Sequence, residues 1–144
     1  MSKTVERTIT VPTAPDRVWE YLADFTRSTE WDPPTVRTTR ESGDGGVGTR
    51  YLNPSRVAGR EVEITYTVRT FEPGHELSLV GENPSLETLD TIRLTPEGTG
   101  TRVQYTATFS PRGAAKLVEP LLPLGLARLA DRTSDRLEEC LRNL

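Results

Sequence analysis

REVEITYTVRTF, residues 60–71, is the stretch of sequence that decides the fold. Valine, isoleucine and tyrosine at its even positions alternate with glutamate, threonine and arginine at its odd positions, and this period of two predicts a β-strand. A strand with one apolar and one polar face is typical of an antiparallel sheet that meets water on one side. The apolar face of that sheet must be covered by a second layer.

Strand patterns continue on both sides of this stretch. Six further strands are predicted, over residues 4–11, 35–41, 49–53, 76–80, 86–95 and 101–109. Turns rich in glycine or proline separate several of them, for example SGDGGVG at 42–48 and PEGTG at 96–100. Because a strand follows 42–48, this segment is a hairpin turn and not a phosphate-binding loop, which needs a helix N-terminus.

Two short helices are predicted after the first strand. TAPD at 13–16 is typical of a helix start, with Thr13 as the capping residue and Pro15 in the first turn. This helix extends to about residue 23. The second helix, over 25–31, ends at Pro33 and Pro34, which cannot continue it.

A long helix is predicted at the C-terminal end, where leucine recurs at three- and four-residue steps between 122 and 144. Ser110 is predicted as its cap and Pro111 as its first residue. Pro120 and Pro123 predict a kink near its start. The residues beyond Pro123 give roughly 30 Å of helix, enough to cross the sheet and cover its apolar face.

Composition limits the classes of function. The 144 residues are expected to form one domain, 1–144. The net charge is −3, from 18 basic and 21 acidic residues spread along the chain, which argues against nucleic acid as a partner. One cysteine, Cys140, excludes an internal disulfide, and no ligand spacing indicates a metal site. The single histidine, His75, lies in a predicted turn and is expected to be solvated.

The N-terminal segment has no apolar leader, and no apolar run is long enough to cross a bilayer. The sequence therefore predicts a cytoplasmic protein without stable membrane insertion. It leaves the oligomeric state open.

The order of strand, two short helices, six strands and long helix resembles the START/Bet v 1-like superfamily, also called SRPBCC, and within it the polyketide cyclase/dehydrase-like group. The matching segments are ITVPTAPDRVW at 9–19, WDP at 31–33, VGTR at 47–50, FEPG at 71–74 and residues 109–113. The resemblance implies an α+β helix-grip fold, in which a curved seven-stranded antiparallel sheet wraps around the long helix. It also implies a cavity that holds an apolar ligand, and no cofactor.

Strand parity together with this resemblance predicts the residues that line the cavity and bind the ligand. They are Tyr51, Tyr66, Leu79, Ile92, Tyr105, Phe109 and Leu121.

Asp90 is a further candidate ligand-binding residue, because the parity that turns Ile92 inward also turns Asp90 and Thr88 inward. A carboxylate on an apolar face is costly unless it is paired or protonated. The alternative is a bulge or a strand end that turns Asp90 out to water.

Trp31 is the last candidate. It is predicted to line the cavity entrance, with its ring inside and the flanking Glu30 and Asp32 in water, since similar proteins place this segment at the entrance. The alternative is ordinary core packing against the long helix.

Three hypotheses of function follow. The first is a non-catalytic binder of a hydrophobic small molecule such as a lipid, polyketide or aromatic metabolite. The second is a polyketide aromatase/cyclase, a lyase of the cyclase/dehydratase type without metal or nucleotide cofactor, in which Tyr or Asp side chains assist enolisation and dehydration. The third is a module that docks a hydrophobic segment of another protein.

The choice between the first two depends on arginine. Cyclases that the chain resembles carry an inward arginine, whereas Arg69 falls on the wet face of this sheet. Arg7 and Arg40 are the remaining candidates.

Overall fold

The computed structural model describes residues 2–57, 59–113 and 122–144, with side chains of the last segment from residue 125 onwards. The elements follow the predicted order. They are β1 (Lys3–Val11), α1 (Pro15–Ala23), a 3₁₀ turn (Phe25–Arg27), α2 (Ser28–Trp31), β2 (Thr39–Ser42), β3 (Arg50–Val57), β4 (Arg60–Glu72), β5 (Glu76–Asn83), β6 (Leu86–Glu97), β7 (Gly100–Pro111) and α3 (Leu122–Arg142).

The seven strands form one curved antiparallel sheet in the order β1-β7-β6-β5-β4-β3-β2. Alternation dictates which face is buried: in β4, Ile64, Tyr66 and Val68 are buried, while the threonines between them and the charged residues beside them are partly exposed or exposed. This is the pattern expected when one face carries the core. The predicted antiparallel sheet is confirmed.

Helix α3 covers the inner face of the sheet with the predicted stripe. Its buried residues are Leu126, Ala130, Thr133, Ser134, Leu137 and Leu141. Their three- and four-residue spacing keeps them on one side of the helix. Of the two prolines that predict a kink, Pro120 lies outside the described residues and Pro123 is the second residue of α3.

The predicted start of the long helix is wrong. Ser110 and Pro111 belong to β7, where they pair with Glu87 and Leu86. Pro111 is the last residue of the strand, a position at which proline's missing N–H does not interrupt the ladder.

The predicted cap of α1 is also wrong, because Ala14 occupies the capping position without a side-chain hydrogen bond. The Thr13 hydroxyl donates instead to the Leu141 carbonyl at 2.5 Å. The Thr13 carbonyl accepts from the Thr101 hydroxyl at 2.8 Å. The last carbonyls of a helix lack partners within the helix, so Thr13 satisfies one at the end of α3 and joins that end to the β1–α1 junction.

Candidate ligand-binding cavity

A cavity of about 200 Å³ lies between the inner face of the sheet and the N-terminal half of α3. Most of its wall is apolar. Sheet residues such as Ile64, Ala107 and Phe109 face helix residues such as Leu126, Leu129 and Ala130 across it. The small side chain of Ala130, at the centre of the helix stripe, leaves room that a leucine would fill.

Asp90 on β6 is one of the polar groups on this wall. The register is continuous on both sides of it, since Leu79 and Ala107 are its partners in β5 and β7. Thr88 and Asp90 are 2% and 9% exposed. The predicted inward orientation of Asp90 is therefore confirmed, and no bulge turns it out. Its part in ligand binding stays a prediction.

Burial strongly perturbs the Asp90 carboxyl group. Its pKa is raised from 3.8 to about 8, first because burial disfavours the charged form and second because the charge of Asp32 is near. Among the described residues no group donates a hydrogen bond to it. At neutral pH this carboxyl is therefore mostly protonated.

Asp32 follows α2 and lines the same cavity. The pKa of its carboxyl is raised to about 6 by burial, while the hydrogen bond from Thr35 and the positive charge of Arg136 act in the opposite direction. The Thr35 hydroxyl donates to Asp32 Oδ2 at 2.5 Å. Asp32 is partly exposed, so the expectation that it lies in water is correct only in part, because its side chain also lines the cavity.

The two carboxyl groups titrate in sequence. Asp32 loses its proton first, while Asp90 is still neutral, and so its pKa reflects burial. Asp90 then loses its proton beside a charge, which adds to the effect of burial. Between about pH 6 and about pH 8 the pair holds one proton and one negative charge.

Two phenols and a hydroxyl complete the polar part of the wall. The pKa values of Tyr66 and Tyr105 are raised well above the usual range, because both are buried and lie near Asp90 and Asp32. Both side chains therefore remain neutral and can donate a hydrogen bond. The buried Thr88 hydroxyl lies close enough to the Tyr66 phenol to act against the rise of its pKa, but it makes no hydrogen bond of good geometry with any described residue.

Gly81 on β5 makes room for two of these groups. A Cβ at this position would lie 2.6 Å from Thr88 Oγ1 and 2.7 Å from Tyr66 Cε1. Such distances are too short for any real side chain, so a glycine is required for Thr88 and Tyr66 to occupy their places at the cavity.

The predicted lining set divides into two groups. Tyr66, Asp90, Tyr105 and Phe109 come together on the cavity wall. Leu79 and Ile92 are 0% and 2% exposed and pack in the core away from the wall. Leu121 lies outside the described residues.

Trp31 corrects the predicted entrance position. It is 3% exposed and packs edge-to-face on Phe25 and Tyr105, with ring centroids 6.2 Å apart in both pairs. The indole is not among the side chains that line the cavity. Its core packing agrees with the predicted alternative, and its ring contacts are with Phe25 and Tyr105.

Tyr51 is likewise displaced from the cavity. Its ring packs on Phe25 at 5.5 Å, and it borders a separate surface depression that also includes Trp19, Arg40 and Phe71. The inward parity of Tyr51 was predicted correctly, but Tyr51 lies near the beginning of β3, whereas Ser55 and Val57 at the other end of that strand border the cavity.

The arginine candidates also lie elsewhere. Arg7 pairs with Asp131 at 2.9 Å on the outside of α3, Arg40 borders the outer depression, and Arg69 is exposed. Among the described wall residues there is no arginine, lysine or histidine.

Sequence reasoning missed Asp32, Gly81 and Ala130. Gly81 carried a signal, since a glycine inside a strand pattern often marks a close approach. Ala130 carried one too, four residues after Leu126 in the helix stripe. Asp32 carried none, because an acid beside two prolines has the composition of a surface loop.

Two structural searches gave negative results within the described part of the chain. No group of three or more His, Cys, Asp or Glu side chains is placed to hold a metal ion. No described helix combines the length and apolar character needed to cross a membrane.

Comparison with known proteins adds to this geometry. A family model described as polyketide cyclase / dehydrase and lipid transport matches residues 2–142. No match was found among curated proteins. The fold is similar to that of the Zhui aromatase/cyclase from a Streptomyces species, with a TM-score of 0.81 and 20% identity over 96% of this chain and 93% of that one.

Two further solved structures share the fold. A protein from Thermus thermophilus, TTHA0849, gives a TM-score of 0.79 at 18% identity and covers 95% of each chain. A START superfamily protein from Mycobacterium smegmatis gives 0.72 at 15% identity, over 95% of this chain and 98% of that one. At these identities the likeness concerns the fold alone.

Proposed function

Because the chain belongs to the polyketide cyclase / dehydrase and lipid transport family, we propose that it binds a small, mostly apolar molecule in the cavity between the sheet and α3. One observation carries the proposal: an apolar wall surrounds two polar groups, Asp90 and Thr88, that have no hydrogen-bond partner of good geometry among the described residues. Ligand sites have this composition, since the apolar surface supplies affinity and a few polar groups fix orientation.

The volume limits the size of the molecule. About 150 Å³ is enough to hold benzene in an apolar cavity, so about 200 Å³ suits one ring with a short substituent. A longer polyketide or lipid chain would require α3 to move away from the sheet.

Filling the cavity tests the proposal. Ala130→Leu places a larger side chain in the cavity, whereas Ala127→Leu adds the same atoms on the exposed side of α3. Binding of the neutral probe phenethyl alcohol is measured by calorimetry, and molecules retained on purification are detected by native mass spectrometry. We expect Ala130→Leu to lose binding and Ala127→Leu to keep it. Equal binding by both variants would place the site elsewhere.

The aromatase/cyclase hypothesis is a second candidate, because the two carboxyl groups hold different protonation states near neutral pH. Ionised Asp32 would remove the proton from the carbon beside a ketone, and protonated Asp90 would protonate the departing hydroxyl, which leaves as water. The Tyr66 and Tyr105 phenols, rather than an arginine, would face the negative charge that develops on the ketone oxygen.

Dehydration of a β-hydroxyketone tests this candidate. The aldol of benzaldehyde and acetone loses water to give an enone that absorbs in the ultraviolet. If the protein is a dehydratase for such compounds, the wild type accelerates enone formation and Asp90→Asn abolishes the acceleration. If the rate with the wild type equals the rate in buffer, the dehydratase candidate is refuted and only the binding function remains.

A further inference from the structure

We propose that the cavity selects a small aromatic or aliphatic molecule that carries a protonated amine, whose ammonium group is held by Asp32 and Asp90. This inference rests on the proposed binding function and specifies the class of ligand.

The charge on the wall is the first argument. Two carboxyl groups face the cavity, and the described wall contains no basic side chain. The exposed Arg136 of α3 acts on Asp32 from outside the wall. A buried negative charge is costly until a positive charge pairs with it. A cationic ligand would relieve this cost, whereas an anionic ligand would add to it.

Unused hydrogen-bonding capacity is the second argument. Asp90, at 9% exposure, accepts no hydrogen bond from a described residue, and the Thr88 hydroxyl, at 2%, is unpartnered. An ammonium group has three donors and no acceptor, and so complements acceptors of this kind. An apolar ligand without a polar group would leave them unsatisfied.

Aromatic rings are the third argument. Tyr66, Tyr105 and Phe109 contribute to the same wall as the two carboxyl groups. Aromatic rings attract cations through their electron-rich faces, and this attraction grows when water is excluded. Carboxylates together with aromatic rings suit an organic amine better than a metal ion, which needs more oxygen ligands.

The protonation state of Asp90 makes amine binding depend on pH. The groups that face Asp90 are Asp32, Tyr66 and Tyr105, and Arg136 acts on Asp32. Near pH 7 the Asp90 carboxyl is mostly protonated, as its raised pKa requires. Binding of an ammonium favours the ionised form, so a proton leaves as the amine binds. Amine affinity therefore rises with pH through the neutral range.

Three probes of matched shape test the charge preference. Phenethylamine is cationic, phenethyl alcohol is neutral and phenylacetate is anionic. Calorimetry of each with the wild type at about pH 6, 7 and 8 gives the affinities. We expect phenethylamine to bind about tenfold or more tightly than the alcohol at about pH 8, with a smaller advantage at about pH 6. We expect no detectable binding of phenylacetate. Buffers of different ionisation enthalpy should report proton release with the amine only.

Variants then locate the preference. Asp90→Asn and Asp32→Asn should each reduce the amine preference, and the double variant should bind amine and alcohol alike. Asp135→Asn removes an equal charge from the exposed side of α3 and should change nothing. If a variant fails to fold, the pH dependence of amine affinity in the wild type still tests the inference.

The outcomes separate the inference from the function on which it rests. If the alcohol binds as tightly as the amine at every pH, or if phenylacetate binds, the amine inference is overturned and the binding function stands. If none of the three probes binds the wild type, both are overturned for ligands of this size.

Discussion

Replacing Asp90 with asparagine should make the stability of the protein less sensitive to pH. The pKa of Asp90 is about 8 in the folded protein and 3.8 in a model peptide. The folded state thus holds the proton more tightly than the unfolded chain does, and the free energy of unfolding falls as the pH rises from about 4 to about 8. Asparagine has a similar shape and does not titrate, so this loss disappears in the variant.

The magnitude follows from the size of the shift. Each pH unit within this window changes the stability difference between variant and wild type by at most about 1.4 kcal/mol. Between about pH 5 and about pH 7 we therefore expect the variant to gain about 1.5–2.7 kcal/mol on the wild type. Any constant packing effect of the asparagine cancels in this comparison.

Urea unfolding at about pH 5, 6, 7 and 8 measures the difference. Asp32→Asn should show a similar trend that ends near pH 6, because the pKa of that carboxyl is raised only to about 6. Asp135→Asn, with its exposed side chain, should show none. If the difference between Asp90→Asn and wild type stays constant with pH, Asp90 titrates normally, and the burial argument is refuted.

Three further substitutions test the packing, each by urea unfolding. Trp31→Ala should cost about 3–5 kcal/mol, because it empties a core position; a loss below about 1 kcal/mol would return Trp31 to the cavity entrance. Thr13→Val should cost about 1–2 kcal/mol, because the Leu141 carbonyl loses its donor, and a neutral result would show that water replaces the hydroxyl. Gly100→Ala should cost about 1–3 kcal/mol, because the new Cβ would lie 2.2 Å from the Val11 carbonyl oxygen. Unchanged stability would mean that the backbone of the β1–α1 junction shifts to accept the new Cβ at no measurable cost.

Strand parity carried most of what the sequence could predict. It placed Tyr66, Asp90, Tyr105 and Phe109 on the inner face, and all four reach the cavity. It could not separate them from Ile92, which shares their face, because parity says nothing about where along the strand the covering helix leaves a space.

Errors concentrated at the joints between elements. Thr13 is a residue type typical of helix caps, yet its hydroxyl donates to the carbonyl of Leu141, near the C-terminal end of the chain. The ring of Trp31 is buried as predicted but packs in an aromatic cluster. Asp32, which was predicted to lie in water, lines the cavity instead of Trp31. Such contacts join residues that are distant in sequence, and no local pattern encodes them.

Hydrogen bonds attach the C-terminal end of α3 to the rest of the fold, so a tilt of this helix would pivot about that end. At its C-terminal end, Leu141 accepts from Thr13 and Arg142 donates to the Thr10 carbonyl at 3.3 Å. The cavity lies under the other half, and its far edge at Leu126 is about 22 Å away along the helix axis. A tilt of about five degrees at the fixed end would thus lift the far end by about 2 Å. The partly exposed Arg7 pairs there with Asp131 and donates to the Ala127 carbonyl at 3.4 Å. Contacts of this kind contribute little to stability, so we expect molecules larger than the resting volume to enter at that end while the contacts of Thr13 stay in place.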